Sequence, residues 1–222
     1  MDFICNGSPV AVQVRHLVVA GWTGRDNAAV RHHIDELAVI GVAPPSTVPL
    51  YYRCAPALLT MADHVQVLGD GSSGEAEPLF IIAGGRRYLG LGSDHTDRQL
   101  EAVSVAASKQ ICAKPVAATL WDWDEVADHL DQIEITSDIH EGGEWVPYQS
   151  GTLAAIRPLQ SLIEGAGLDA LAADGAVAML CGTFAAKGGV RPAAQMRMRM
   201  HDPVLGRDIQ LAYAAETLPV VA

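Results

Sequence analysis

The stretch Glu75-Ala76-Glu77-Pro78-Leu79-Phe80-Ile81-Ile82 sets two carboxylates at the mouth of a run apolar enough to be the core of a strand. Gly84-Gly85 follows, then a second strand-like run from Arg87 to Leu91, so the segment reads as a hairpin with a glycine turn. Side chains alternate faces along a strand, which sends Glu75 and Glu77 the same way. Two carboxylates on one face repel unless something positive lies between them, and a bound cation resolves the conflict. Asp94, in Ser93-Asp94-His95-Thr96-Asp97-Arg98, supplies a third carboxylate. Three carboxylates form the all-oxygen donor set that Mg²⁺, Mn²⁺ or Ca²⁺ prefers. The plainer alternative is a pair of solvated charges at a strand entrance, a common arrangement on exposed strands.

The rest of the chain fits a mainly β fold with short helices, of the α+β class. Val10 to Val14, His16 to Ala20, Val65 to Leu68, Gln132 to Ser137, Val177 to Cys181 and Gln195 to His201 read as strands. Asp26 to Ile40 carries Val30, His33, Ile34, Leu37 and Ile40 at helical spacing behind a capping Asp26 or Asn27. Arg98 to Lys109, Trp123 to Leu130 and Pro158 to Ala166 are further expected helices, and the prolines in Val42 to Val48 predict irregular chain. No internal repeat or linker breaks the sequence. A single domain over residues 1–222 is expected, with the N-terminal strands of 1–20 able to form a small lobe.

Half of the 222 residues are hydrophobic, enough for a substantial core, and the formal net charge is −11. An acidic balance argues against nucleic acid or an anionic membrane surface as partner, since both need clustered Lys and Arg. Cys5, Cys54, Cys112 and Cys181 are widely spaced with no CxxC pair, which reads as buried thiols in a reducing compartment. The first residues lack a basic start followed by an apolar run, and no stretch approaches the roughly 18 apolar residues of a membrane span. A cytoplasmic location is expected.

Arg31-His32-His33-Ile34-Asp35-Glu36-Leu37 offers a second constellation. His33 and Glu36 share a helix face, and a carboxylate beside an imidazole prepares a general base for water. His32 with Asp35 has the same spacing, so the spacing leaves the pair open, and a surface helix with an ion pair to Arg31 is the plain alternative. Lys109 and Lys114 stand close together in a chain whose only other lysine is Lys187. A lysine beside a metal can hold an anionic substrate or steady a developing enolate. Gly182-Thr183, at the end of an expected strand, presents backbone N–H groups and a hydroxyl to a ligand carboxylate.

In this order the motifs resemble those of the fumarylacetoacetate hydrolase superfamily over almost the whole chain. Gly24-Arg25-Asp26-Asn27 through His33 and Glu36 is similar to the family's G-x-N-Y-x-x-H-x-x-E, and Glu75-Ala76-Glu77 to its E-x-E. Ser93 to Arg98 resembles N-D-x-[ST]-x-R with Ser93 for the Asn, and Ser108-Lys109-Gln110-Ile111 resembles its lysine segment. Gly182 to Val190 resembles the closing G-T-P-A-G-V-G. Departures accompany these matches. Tyr52-Arg53 stands for a Phe-Lys, Phe184 replaces the proline, and the interval from Glu77 to Asp94 is short.

The resemblance implies a mixed β-roll catalytic domain with a divalent cation, Mg²⁺ or Mn²⁺ with Ca²⁺ as a third option, on Glu75, Glu77 and Asp94. It implies catalytic roles for His33, Glu36 and Lys109, with His32 and Lys114 in reserve, and substrate contacts from Arg53, Arg98, Gly182 and Thr183. The implied substrate is a small 2-oxo acid or acylpyruvate, and the implied assembly a homodimer. The implied reaction is hydrolysis of a carbon–carbon bond through a metal-stabilised enolate, with a water activated by the His–Glu pair. Decarboxylation, hydration or isomerisation of a 2-oxo acid at the same site is the alternative, and a non-catalytic structural protein a third.

Overall fold

Strands account for most of the regular structure because β-branched and apolar residues recur in short runs cut by glycine turns. The computed structural model describes residues 1–39 and 44–221; the side chains of His33, Glu36, Leu37 and Val39 lie outside the described residues. The strands are β1 (Asp2–Cys5), β2 (Ser8–Ala11), β3 (Val14–Gly21), β4 (Leu50–Cys54), β5 (Leu59–Thr60), β6 (His64–Leu68), β7 (Ser72–Ser73) and β8 (Ala76–Ala83). They continue as β9 (Arg86–Ser93), β10 (Thr96–Asp97), β11 (Lys114–Asp122), β12 (Glu134–Glu141), β13 (Glu144–Thr152), β14 (Ala176–Leu180), β15 (Gln195–Asp202) and β16 (Arg207–Leu218). The helices are short: α1 (Asn27–Val39), α2 (Arg98–Glu101), α3 (Val105–Gln110), α4 (Trp123–Val126), α5 (Leu159–Gly165) and α6 (Leu168–Ala172).

A mixed nine-stranded sheet runs β2-β1-β11-β9-β8-β14-β3-β4, with β5 added beside β11. A five-stranded sheet runs β13-β12-β15-β16-β6, and β7 with β10 forms a two-stranded ribbon. The strands of residues 2–21 belong to the large sheet, β1 parallel to β11 and β3 between β14 and β4.

β8 shows why its sequence is apolar throughout. Phe80 and Ile82 enter the core shared with Met196, Met198, Met200, Ile135 and Ile139 of the five-stranded sheet, while Leu79 and Ile81 pack on the other face with Leu17, Val19 and Leu120. A strand buried on both faces reads as a continuous run, not an alternating one. β15 does the reverse: its methionines point inward, and Gln195 and Arg197 face solvent.

The hairpin expected at Gly84-Gly85 joins β8 to β9, with both glycines at positive φ. Helix α1 starts as the sequence predicts, Asp26 Oδ1 accepting from the N–H groups of Ala28 and Ala29. The far end of that expectation at Ile40, and the start of the irregular stretch at Val42, lie outside the described residues. The helix expected over Arg98 to Lys109 is two helices. Ser104 adopts an extended conformation and caps α3 from its side chain, which restarts the helix after α2. The helix expected over Trp123 to Leu130 likewise stops at Val126 and tightens into a 3₁₀ segment, with His129 at φ −134°. Strands β11, β13 and β16 were not evident from residue pattern. Among the described residues no helix is long and apolar enough to cross a membrane.

Candidate metal centre

The two acidic motifs meet through the backbone. Ala76 pairs with Ser93 across β8 and β9, and the Asp94 N–H donates to the Glu75 carbonyl at 3.0 Å. The hairpin ladder thereby carries Asp94 to the E-x-E segment, and one oxygen from each of Glu75, Glu77 and Asp94 falls within 4.8 Å of the others. Glu77 and Asp94 are buried and Glu75 nearly so. The reading of Glu75 and Glu77 as a pair of solvated charges at a strand entrance is therefore replaced by a buried cluster of three carboxylates.

Buried carboxylates need partners, and each of these has one. The Gly182 N–H donates to Glu77 Oε2 at 2.8 Å. Arg98 lies 3.5 Å from Glu75, donates to Glu101 at 3.0 Å and is fixed by Ser73 Oγ at 2.9 Å. Asp94 is held at both oxygens: Lys109 Nζ donates to Oδ2, and Lys114 Nζ stands 3.0 Å from Oδ1 while also donating to the His95 carbonyl.

The carboxyls are consequently unequal. Burial pushes Glu77 well above the usual range, Asp94 adds to the rise, and Lys109 and the Gly182 N–H only partly offset it. Burial also raises Glu75, against the pull of Arg98 and Lys109. Burial would raise Asp94 too, but the two lysines outweigh it and hold this carboxyl well below its ordinary value. Lys109, disfavoured by burial, is raised by Asp94, Glu75, Glu101 and Glu77 and stays an ammonium.

The donor set fits a hard divalent cation: three carboxylates converge, with oxygens close enough to share one ion. Arg98 serves as a brace for Glu75 and Ser73. Gly182 and Thr183 spend their polar groups on the same frame, since Thr183 Oγ1 donates to the Ala76 carbonyl at 2.7 Å. Arg53 is not brought to the carboxylates. Its Nη2 sits 3.1 Å from His16 Nδ1, and its neighbour Tyr52 turns inward instead, with Lys109 Nζ 5.8 Å from the ring centroid. Strand alternation makes the exchange: of two adjacent residues on β4, only one can face the site. His32 is exposed on α1, and the His33 and Glu36 side chains lie outside the described residues. The entrance to α1 does reach the site, because Trp22 hydrogen-bonds Tyr52 and Thr23 packs against Gly182.

Two residues that motif reading passed over, Gln149 and Tyr213, complete the frame together with His95 of the Ser93–Arg98 motif. Gln149, buried on β13, accepts from the Ala76 N–H at 2.9 Å and from Ser137 Oγ at 3.0 Å. Its amide donates to Thr183 Oγ1 at 2.6 Å and to the Phe184 carbonyl at 3.1 Å. Tyr213 OH lies 2.8 Å from both Ser93 Oγ and His95 Nδ1, and His95 Nε2 lies 2.9 Å from Ser72 Oγ. Burial, with Lys114 and Arg98 nearby, pushes His95 down to about 3, so it is a neutral strut. The one available signal was a polar residue at an inward position of a strand. We expect Gln149→Met to lower stability by about 3 kcal/mol in urea unfolding, because four partners, two buried and two partly buried, lose their bonds together.

The chain shares its fold with solved structures of the fumarylacetoacetate hydrolase superfamily. A candidate fumarylacetoacetate isomerase/hydrolase from Oleispira antarctica aligns with a TM-score of 0.64 at 17% identity, covering 98% of this chain and 100% of that one. Fumarylpyruvate hydrolase from Pseudomonas aeruginosa, in complex with Mn²⁺ and pyruvate, aligns at 0.61 and 16% identity, covering 97% and 96%. A 2-keto-3-deoxy-D-arabinonate dehydratase complexed with magnesium and 2,5-dioxopentanoate aligns at 0.62 and 14%, covering 96% and 84%. No curated protein matches by sequence. Residues 20–213 match the family described as Protein of unknown function (DUF2848), and the chain belongs to that family.

Proposed function

We propose that this chain is a divalent-cation-dependent enzyme that hydrolyses a carbon–carbon bond in an acylpyruvate-like or β-diketo acid. The observation that carries the reading is the convergence of Glu75, Glu77 and Asp94 with Lys109 seated on Asp94. Mn²⁺ with pyruvate in one structural neighbour, and magnesium with a dioxo acid in another, support it.

Glu75, Glu77 and Asp94 would hold Mg²⁺ or Mn²⁺, and the ion would supply Lewis-acid polarisation of the 2-oxo group. Lys109 presents a fixed positive charge to the substrate's anionic end. Helix α1 carries His33 and Glu36, and the imidazole would take a proton from water as it adds to the distal carbonyl. The carbon–carbon bond then breaks, its electrons pass to the 2-oxo acid fragment as an enolate, and proton return releases a carboxylic acid and a 2-oxo acid. The proposal includes one domain over residues 1–222 and a homodimer.

The experiment is a turnover screen of acylpyruvates and oxaloacetate with Mg²⁺ or Mn²⁺, on wild type and His33→Ala. His33→Ala is expected to cut hydrolysis by roughly a hundredfold to ten-thousandfold with Mn²⁺ affinity unchanged. Intact turnover in His33→Ala, alongside its loss in Glu77→Ala, would move the reading to the second reaction class. There the same site runs decarboxylation, hydration or isomerisation of a 2-oxo acid, a class to which the dehydratase neighbour lends support.

A further inference from the structure

The charges around Asp94 bear on what can enter the site with the cation. The inner cluster has three carboxylates (Glu75, Glu77 and Asp94) and three cationic side chains (Arg98, Lys109 and Lys114), all buried or nearly so. Glu101, partly exposed beside Arg98, is the fourth acid of the group. Lys114 is the unusual member. It is fully buried, and its Nζ reaches Asp94 Oδ1 and the His95 carbonyl, while Lys109 takes Oδ2. Both oxygens of one would-be ligand are thus already bonded to ammonium groups. An arriving divalent cation would meet an Asp94 whose two oxygens are already held by lysines and a Glu75 already paired with Arg98, and it would bring further positive charge into a low-dielectric interior that holds three cationic side chains. An anion arriving alone would meet three acidic side chains. Each partner therefore lowers the electrostatic cost of the other.

We infer that Lys114 makes cation binding conditional on a chelating anion, so that divalent cation and 2-oxo carboxylate enter as a linked pair and dianions couple more strongly than monoanions. The inference rests on the cation reading proposed above and adds Lys114 as a positioning residue for ligand charge. Linkage requires the coupling to be reciprocal: whatever factor the anion gives the cation, the cation gives the anion.

The test is calorimetric titration of the full chain with Mn²⁺ alone, with oxalate and with oxamate. These planar chelators are alike in shape and differ by one charge. Free ion concentrations are corrected for the soluble Mn²⁺ complexes. Oxalate is expected to tighten Mn²⁺ at least about tenfold more than oxamate does, beyond the difference between their complexes in water. Lys114→Met, folded by circular dichroism, is expected to bind Mn²⁺ alone at least about fivefold more tightly than wild type and to lose most of the oxalate advantage. A folded Lys114→Met that binds bare Mn²⁺ no better than wild type overturns the inference. Should that variant not fold, the wild type decides alone, equal enhancement by the two anions sinking the idea. Mn²⁺ that fails to bind even with oxalate would remove the cation reading itself, an outcome distinct from tight binding indifferent to anions.

Discussion

Glu77→Gln is expected to weaken Mn²⁺ binding at least about a hundredfold and to abolish turnover, while leaving the metal-free protein as stable as wild type or more so at neutral pH. The two halves have one origin. Glu77 is buried beside Asp94, and among the described residues its one direct donor is the Gly182 N–H. Glutamine keeps an oxygen for that N–H and removes a charge that the metal-free interior disfavours. Because the folded state raises the Glu77 carboxyl above its unfolded value, its contribution to stability is complete below the ordinary glutamate range. That contribution is lost as pH climbs through the raised value. In chelator, the variant should therefore match wild type in acid and gain on it as pH rises through that window. Asp94, depressed by its lysines, works in the other sense in both proteins, its contribution fading as pH falls below the ordinary carboxylate range. Urea unfolding across pH, with chelator and with Mn²⁺, reads both effects. A variant less stable than wild type at neutral pH in chelator would contradict the account of Glu77 as a disfavoured buried charge.

Gly182→Ala should be the most damaging single-methyl change in the site, costing about 3–5 kcal/mol and cation binding with it. Gly182 has φ +95°, in the region L side chains rarely adopt, and a Cβ there would lie 1.8 Å from Thr23 Oγ1 and 2.8 Å from Thr23 Cβ. The segment must shift to admit it, and the shift carries away the N–H that holds Glu77. Thr23→Ala in the same chain removes the hydroxyl clash but neither the Cβ contact nor the backbone strain. It should recover part of the stability and not all. Full recovery in the double variant would show that space, not backbone conformation, sets the need for glycine.

How far the residues announced this site depends on the range over which each signal acts. The carboxylates were legible because E-x-E and the Ser93–Arg98 motif sit on the two arms of one hairpin, so a local turn at Gly84-Gly85 brings them together. Asp26 was legible as a cap for the same local reason. Order along the chain could not tell Arg53 from Tyr52, because the face of β4 that meets Lys109 depends on register with β3. Lys114 stood in reserve because nothing in Ala113-Lys114-Pro115 tells that it opens β11 and points at Asp94. Gln149 and Tyr213 lie on strands β13 and β16 of the other sheet, and their contacts with residues 72–95 and 183–184 exist only after the two sheets pack.

The sequence by itself determined the mainly β character, the Gly84-Gly85 hairpin, the capped start of α1 and the identity of the three carboxylates that cluster. These rest on alternation, turn chemistry and side-chain type, which act over a few residues. Only the tertiary structure decided that these carboxylates are buried, that two lysines occupy both oxygens of Asp94, and that among the described residues the Gly182 N–H rather than a side chain steadies Glu77. Those outcomes depend on strand register and sheet packing between segments far apart in the chain, where burial turns ordinary charges into strongly coupled ones.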